Sequence, residues 1–220
     1  MRKLLLLSAV LLSLTACETD SYEKGQGKYS LMRADLADMY IDGEKTAVAF
    51  VTDDGDDFQL TNSFTAKWIA TADTTYRLSV YYNKVDNKRA EVIGLNHVAT
   101  IRPLAHWRLR KQPQDPVGVE SAWVVRNGRY LNLGLLFKSG RMEDDEEGSH
   151  TIGLAQDTVL VNADGKRTAY YRFLHDQGDT PQYYTNRRYV SILLPEEQRP
   201  DSVSISVNTF AGTYERKFAL

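Results

Sequence analysis

The sequence predicts an all-β protein in which a small N-terminal barrel is followed by a C-terminal β-sandwich. Three observations carry this. Thirteen tyrosines and frequent Thr and Val stand against only six prolines, a composition suited to strands. Apolar residues alternate with polar ones in short runs, as where Val203, Ile205 and Val207 interleave with Ser202, Ser204, Ser206 and Asn208. Turn residues punctuate the chain at close intervals, and no helical period of useful length occurs.

The chain opens on Arg2 and Lys3, an apolar run Leu4–Leu14, and then Leu14-Thr15-Ala16-Cys17, which ends on the only cysteine. This is the pattern of a secretory signal, assigned to residues 1–16. The apolar run is too short to span a bilayer, which takes about 20 residues as a helix. Leu-Thr-Ala-Cys resembles the lipobox of bacterial lipoproteins, a resemblance that implies cleavage before Cys17 and lipidation of its sulfur. A single cysteine permits no intramolecular disulfide, so the core alone must stabilise the fold. Residues 17–28, polar and with two glycines, read as a flexible tether.

Residues 29–103 hold the first domain. Tyr29–Asp42 is a long strand with a shift of face near Ala37–Met39 that suggests a bulge. Thr46–Thr52 and Phe58–Leu60 flank Asp53-Asp54-Gly55-Asp56-Asp57, a hairpin signal because Gly supplies a positive φ. Thr75–Val85 and Lys88–Ile93 flank Asp86-Asn87, and His97–Ile101 extends the last strand. Five strands led by a long one fit a five-stranded barrel of the OB type. Residues 104–118, with Pro113 and Pro116, form the boundary. Residues 119–220 hold the second domain, with strands at Glu120–Arg126, Arg129–Lys138, Thr151–Leu154, Thr158–Val161, Lys166–His175, Tyr183–Leu194 and Ser202–Phe210. Seven short strands with regular turns predict the sandwich.

Charge and motifs narrow the function. Without Arg2 and Lys3, 25 of the 27 Lys and Arg face 29 Asp and Glu, a net charge of −4. No basic stripe is present to collect phosphates, which excludes nucleic acid as the expected partner. Asp53–Asp57 lacks the ligand spacing of a calcium loop and reads as a solvated hairpin tip. The acidic run Glu143–Glu147 reads as an exposed loop. His97, His106, His150 and His175 show no metal-ligand spacing, so no metal and no cofactor are expected. No G-x-S-x-G elbow occurs, and no pair among the carboxylates can be assigned to glycoside hydrolysis, so an enzyme is not expected. Tyr81-Tyr82, Tyr170-Tyr171 and Tyr183-Tyr184 should each place one ring inside and one outside. Outward rings, with Trp68 or Trp107, could stack on sugars or contact a protein. Asp73-Thr74-Thr75, Asp157-Thr158-Val159 and Asp201-Ser202-Val203 resemble an O-glycosylation sequon of exported proteins in some Gram-negative anaerobes, which nominates Thr74, Thr158 and Ser202.

The lipobox, AVAFVTDDGDDFQLTN and YRLSVYYNKVDNKRAEVIGL in the first domain, and YLNLGLLFKSG in the second are similar to the NigD-like lipoprotein family. The resemblance implies an N-terminal OB domain and a C-terminal β-sandwich over nearly the whole chain after the signal. It carries no catalytic residues, and it links the chain to bacteriocin-associated genes. The expected function is that of a non-enzymatic lipoprotein, anchored in the outer membrane and periplasmic or surface-exposed. Its expected partner is an envelope protein, met through an exposed sheet edge or loop. The alternative is glycan binding through exposed aromatics.

Overall fold

In the barrel the alternation of inward residues decides the architecture. The computed structural model describes residues 30–141, 148–197 and 199–220, within which Arg33–Leu220 forms one unit. The barrel strands are β1 (Arg33–Ile41), β2 (Ala47–Thr52), β3 (Asp57–Phe64), β4 (Thr74–Lys84) and β5 (Arg89–His97). They pair in the order β1-β2-β3-β5-β4, and β4 closes on β1. Met39, Phe50, Phe58, Leu78, Val80 and Tyr82 fill the interior. The rings of Phe50, Phe58 and Tyr82 stand 5.0 to 5.5 Å apart, tilted or edge-on as their quadrupoles favour. Asp42 Oδ1 accepts the amides of Glu44 and Thr46, and Asp86 Oδ1 those of Lys88 and Arg89. These short side chains hold the two turns.

The run of buried residues Leu36–Met39 is not a bulge, contrary to the sequence-based expectation. The register shift on β1 falls between Tyr40 and Ile41. Ala37 and Met39 face the barrel core, whereas Leu36 and Asp38 are buried on the outside. Both faces of β1 are covered, so the period of two is lost from its burial pattern without any change of register.

The sandwich has nine strands, two more than the sequence suggests. They are β6 (Ala99–Ile101), β7 (Leu104–Ala105), β8 (Gly118–Val124), β9 (Tyr130–Ser139), β10 (Thr151–Val161), β11 (Arg167–Asp176), β12 (Tyr184–Leu193), β13 (Ser202–Thr209) and β14 (Gly212–Ala219). One sheet is β6-β12-β9-β8 and the other β14-β13-β11-β10-β7. The two pieces expected at Thr151–Leu154 and Thr158–Val161 are one strand with a register shift between Gln156 and Thr158. His97–Ile101 does not extend the barrel. Ala99–Ile101 pairs in parallel with Val190–Ile192, and Leu104–Ala105 joins β10 in the opposite sheet. The intervening Arg102-Pro103 is therefore the crossing between sheets, and Pro103 has no amide to lose there. Strand β14 is an edge whose Glu215, Arg216 and Lys217 interrupt the apolar signal of Tyr214 and Phe218, both packed on the core.

Between the sheets lie Leu131, Leu133, Leu135, Tyr171, Phe173, Val190, Ile192, Val203 and Ile205. The Tyr171 hydroxyl is buried there without a hydrogen-bond partner among the described residues, and burial pushes its pKa up to about 12. Tyr171→Phe removes an unsatisfied polar atom and keeps the ring. It should stabilise the fold by about 1 kcal/mol, read as a higher urea midpoint at unchanged slope. A fall in the midpoint would show that the hydroxyl is satisfied in solution.

Candidate functional site

Seven side chains lock the barrel to the outer face of the β9–β12 sheet. Arg77 on β4, its side chain 4% exposed, lies at the centre. Its guanidinium reaches Asp53 at 2.7 Å, Ser191 Oγ at 3.0 Å and Asn132 Oδ1 at 3.3 Å, and stands 3.5 Å from Asp38. It also covers the ring of Tyr130 at 4.3 Å. Asn132 Nδ2 donates to Asp53 at 2.7 Å, and Ser191 Oγ donates to Asn132 Oδ1 at 2.7 Å. Asp38 accepts from Arg129 at 2.9 Å and from the Tyr130 hydroxyl at 3.2 Å. Burial pushes the Asp53 carboxyl above its ordinary pKa, and Arg77 pulls part of that back. Burial, and next the Asp38 charge, push Tyr130 up to about 12.

Beside this cluster a groove of about 970 Å³ opens between barrel and sandwich. Ala34, Leu36, Ser79, Tyr81 and Asn96 form the barrel wall. Trp123, Arg187 and Tyr189 form one part of the sandwich wall, and Phe137, His150, Ile152 and Arg188 another. Trp123 and Tyr189 meet edge to face at 6.0 Å. Gly134 lies between them in the sheet for want of space, because a Cβ there would come 2.4 Å from Ser121 Oγ and 3.3 Å from Tyr189.

Where His150 lines the groove, just before β10, it meets His175 of β11. His175 Nδ1 lies 3.1 Å from the carbonyl of Asp115, which can only accept, so Nδ1 donates. Its Nε2 then accepts from His150 Nδ1 at 2.9 Å, which leaves His150 Nε2 a bare lone pair. That atom is buried and has no partner among the described residues. Burial lowers the pKa of His150, assisted by His175 and Arg188. Above pH 6.5 both folded and unfolded forms are neutral there, so the shift has no effect on stability. As pH falls below 6.5 the unfolded chain takes up a proton that the folded chain resists, and stability falls. The urea midpoint should drop between pH 6.5 and 5, and less so in His150→Gln. Equal slopes in both proteins would refute this.

The residues singled out from sequence are scattered. Cys17 and Glu143–Glu147 lie outside the described residues. Within Asp53–Asp57, Asp54 and Asp57 are exposed and Asp56 meets Lys84 at 2.9 Å. Asp53 corrects the solvated-tip reading, because the hairpin leans on the sandwich and delivers this carboxylate to Arg77. His150 and His175, which show no metal-ligand spacing in the sequence, are brought together by the pairing of β10 with β11. His106 Nδ1 contacts the Asp157 carbonyl, and His97 packs edge-on to Trp68 at 4.8 Å. No histidine is hydrogen-bonded to a serine, and no cluster of three or more metal-ligating side chains occurs, among the described residues. Trp68 packs on Tyr76 rather than facing solvent, whereas Trp107 is 72% exposed. Tyr82 and Tyr171 are buried and Tyr81 and Tyr170 half-buried, in line with strand alternation. Tyr183 and Tyr184 are both exposed, because Tyr183 precedes its strand. Thr158 is exposed and Thr74 half-buried. Ser202 is buried and bonded to Thr168 at 2.9 Å, which leaves no room for a glycan on the folded chain. Arg77, Asn132, Ser191, Trp123 and Tyr189 carried no sequence signal. Asn132 and Ser191 are polar positions that interrupt the apolar runs Leu131–Phe137 and Val190–Leu194, the one cue available.

No family model and no curated relative matches the chain. Solved structures do. A NigD-like immunity protein from Bacteroides caccae superposes with a TM-score of 0.64 at 18% identity, over 85% of this chain and 97% of that one. The chain has the NigD-like fold. The match takes in barrel and sandwich together, in agreement with the resemblance read from the sequence. A candidate toxin-related protein from Parabacteroides distasonis gives a TM-score of 0.61 at 18% identity, covering 86% of this chain and 93% of its own. A candidate lipoprotein from Bacteroides fragilis gives 0.58 at 12% identity, covering 85% and 96%.

Proposed function

We propose that this NigD-like chain is a non-enzymatic lipoprotein of the cell envelope, anchored in the outer membrane through Cys17, that receives an envelope protein in the groove between its barrel and sandwich. The observation that carries the reading is the groove itself, a cavity of about 970 Å³ whose neighbouring charges Asp53 and Arg77 are committed to holding the two parts together. A room of that size, beside charges already engaged with one another, suits recognition. The lipobox and the Bacteroides fragilis candidate lipoprotein support the anchor. A partner in bacteriocin immunity or secretion follows from the resemblance read in the sequence; the Bacteroides caccae protein with the same fold is itself described as an immunity protein.

Two measurements test this. Cys17→Ser should abolish lipid labelling and leave the chain uncut or soluble; membrane retention with normal processing would refute the anchor. A photo-crosslinking residue at Ser79, inside the groove, should trap a defined envelope protein in intact cells, and one at Lys217 on β14 should not. Equal capture at both positions, or none at Ser79, would refute the groove as the contact. Glycan binding is a second reading, favoured by the rings of Tyr81, Trp123 and Tyr189 on the groove walls. A glycan array probed with the chain from residue 29 onwards should then light up, and a blank array removes that reading.

A further inference from the structure

The sandwich is incompletely closed on the side that faces the barrel. Strand β6 covers the edge of β12 at Val190–Ile192 only, and β7 covers the edge of β10 at Ala155 and Gln156 only. Beyond those short covers, Tyr184–Tyr189 of β12 pair with β9 on one side and, among the described residues, with no strand on the other. An uncovered edge of six residues presents alternate N–H and C=O groups along about 20 Å, a template for another strand. The open part runs into the groove, where Arg187, Arg188 and Tyr189 line the wall.

The charges on this edge say what fits it. Arg188 lies opposite Leu135, a core residue, so its side chain is on the inner face of the sheet. Among the described residues it has no carboxylate partner, whereas Arg187 on the outer face meets Glu120 at 2.5 Å. An inward-pointing cation is a known defence against promiscuous edge pairing, because a plain apolar strand would bury it unpaired. It also disfavours a second copy of this chain. Antiparallel pairing of two β12 edges would set Arg187 and Arg188 against the same residues of the other copy, and like charges opposite one another destabilise. A strand bearing a carboxylate at that position removes the penalty and gains a charge-assisted hydrogen bond. Around it, Phe137 of β9 and Ile152 of β10 in the opposite sheet offer apolar contact, and the bare Nε2 of His150 offers an acceptor to a donor side chain.

We infer that the free edge of β12, Tyr184–Tyr189, is a strand-addition site for an extended acidic peptide segment of a partner protein, its carboxylate set on Arg188. This rests on the groove being the contact surface and names the chemistry of what enters it. Main-chain pairing supplies affinity, and the alternate side chains supply selection.

The test selects a phage-displayed random dodecamer library on the chain from residue 29 onwards. Enriched peptides should share an Asp or Glu, bind at least tenfold more weakly to Arg188→Glu, and bind Arg216→Glu on β14 unchanged. Lys in place of the shared acid should restore binding to Arg188→Glu. N-methylation of alternate peptide amides should abolish binding, and amide hydrogen exchange at Tyr184–Tyr189 should slow at least tenfold when peptide is bound. No enrichment, enriched peptides without a shared acid, or binding that leaves these amides unprotected would overturn the inference. Slow exchange of the same amides without peptide, together with a dimer in solution, would assign the edge to a second copy and overturn it as well. Crosslinking from Ser79 with unprotected amides would sink strand addition and leave the groove reading standing. Protected amides with no crosslink in cells would do the reverse.

Discussion

Arg77→Ala is expected to lower the unfolding free energy by about 3–5 kcal/mol, the usual cost of removing one partner from a buried charged cluster. The loss exceeds that of the bonds themselves. Asp38 and Asp53 would remain buried beside the sandwich with their central cation gone, and Asn132 and Ser191 would each lose a contact. Arg77→Lys should restore little, because a point charge cannot serve Asp53, Asn132 and Ser191 at once as the planar guanidinium does. Urea denaturation of the mature chain measures the loss. A change under 1 kcal/mol would show that the cluster is solvated and that the barrel is held by other contacts. The same variant should also uncouple the two parts. Trp68 reports the barrel and Trp123 the sandwich, so their fluorescence transitions should separate in Arg77→Ala and coincide in the parent.

Phe50→Ala should cost a similar amount, about 3–5 kcal/mol, by a different route. Phe50 is fully buried and its ring lies 5.3 Å from Phe58 and 5.0 Å from Tyr82. A closed barrel cannot collapse onto the gap without moving the strands that close it, so a cavity persists. The interlock stays intact in this variant, and the Trp68 and Trp123 transitions should shift together. A shift of the Trp68 transition alone would show that barrel and sandwich unfold independently even with Arg77 in place. Thermal or urea unfolding followed at both tryptophans, with the exposed Trp107 changed to Phe, decides between these outcomes.

Much of the architecture was legible because it depends on local pattern. Alternation marks β13, and Asp-Gly and Asp-Asn centres mark the turns after β2 and β4. These depend on periods of two and on φ preferences, which a few neighbouring residues specify. The misplaced features share one cause. The consecutive burial on β1 looked like a bulge because the second covering surface, at Arg129 and Tyr130, is 91 and 92 residues from Asp38 along the chain. Strands β6 and β7 are too short to carry a period, and exist only because β12 and β10 offer them an edge. Strand β14 hides its apolar face among charges suited to an edge.

From the sequence alone came the all-β class, the two-part order, the signal pattern ending at Cys17 and the resemblance to NigD-like lipoproteins. Each is a matter of residues close together in the chain. The groove, the Arg77 cluster, the His150–His175 pair and the uncovered edge of β12 were decided only by the tertiary structure. Hydrogen-bond partners in the Arg77 cluster and the histidine pair lie between 24 and 114 residues apart along the chain. Hydrogen bonds and ion pairs at such separations leave no periodic trace in the sequence. They form only where two separately specified β units are brought face to face.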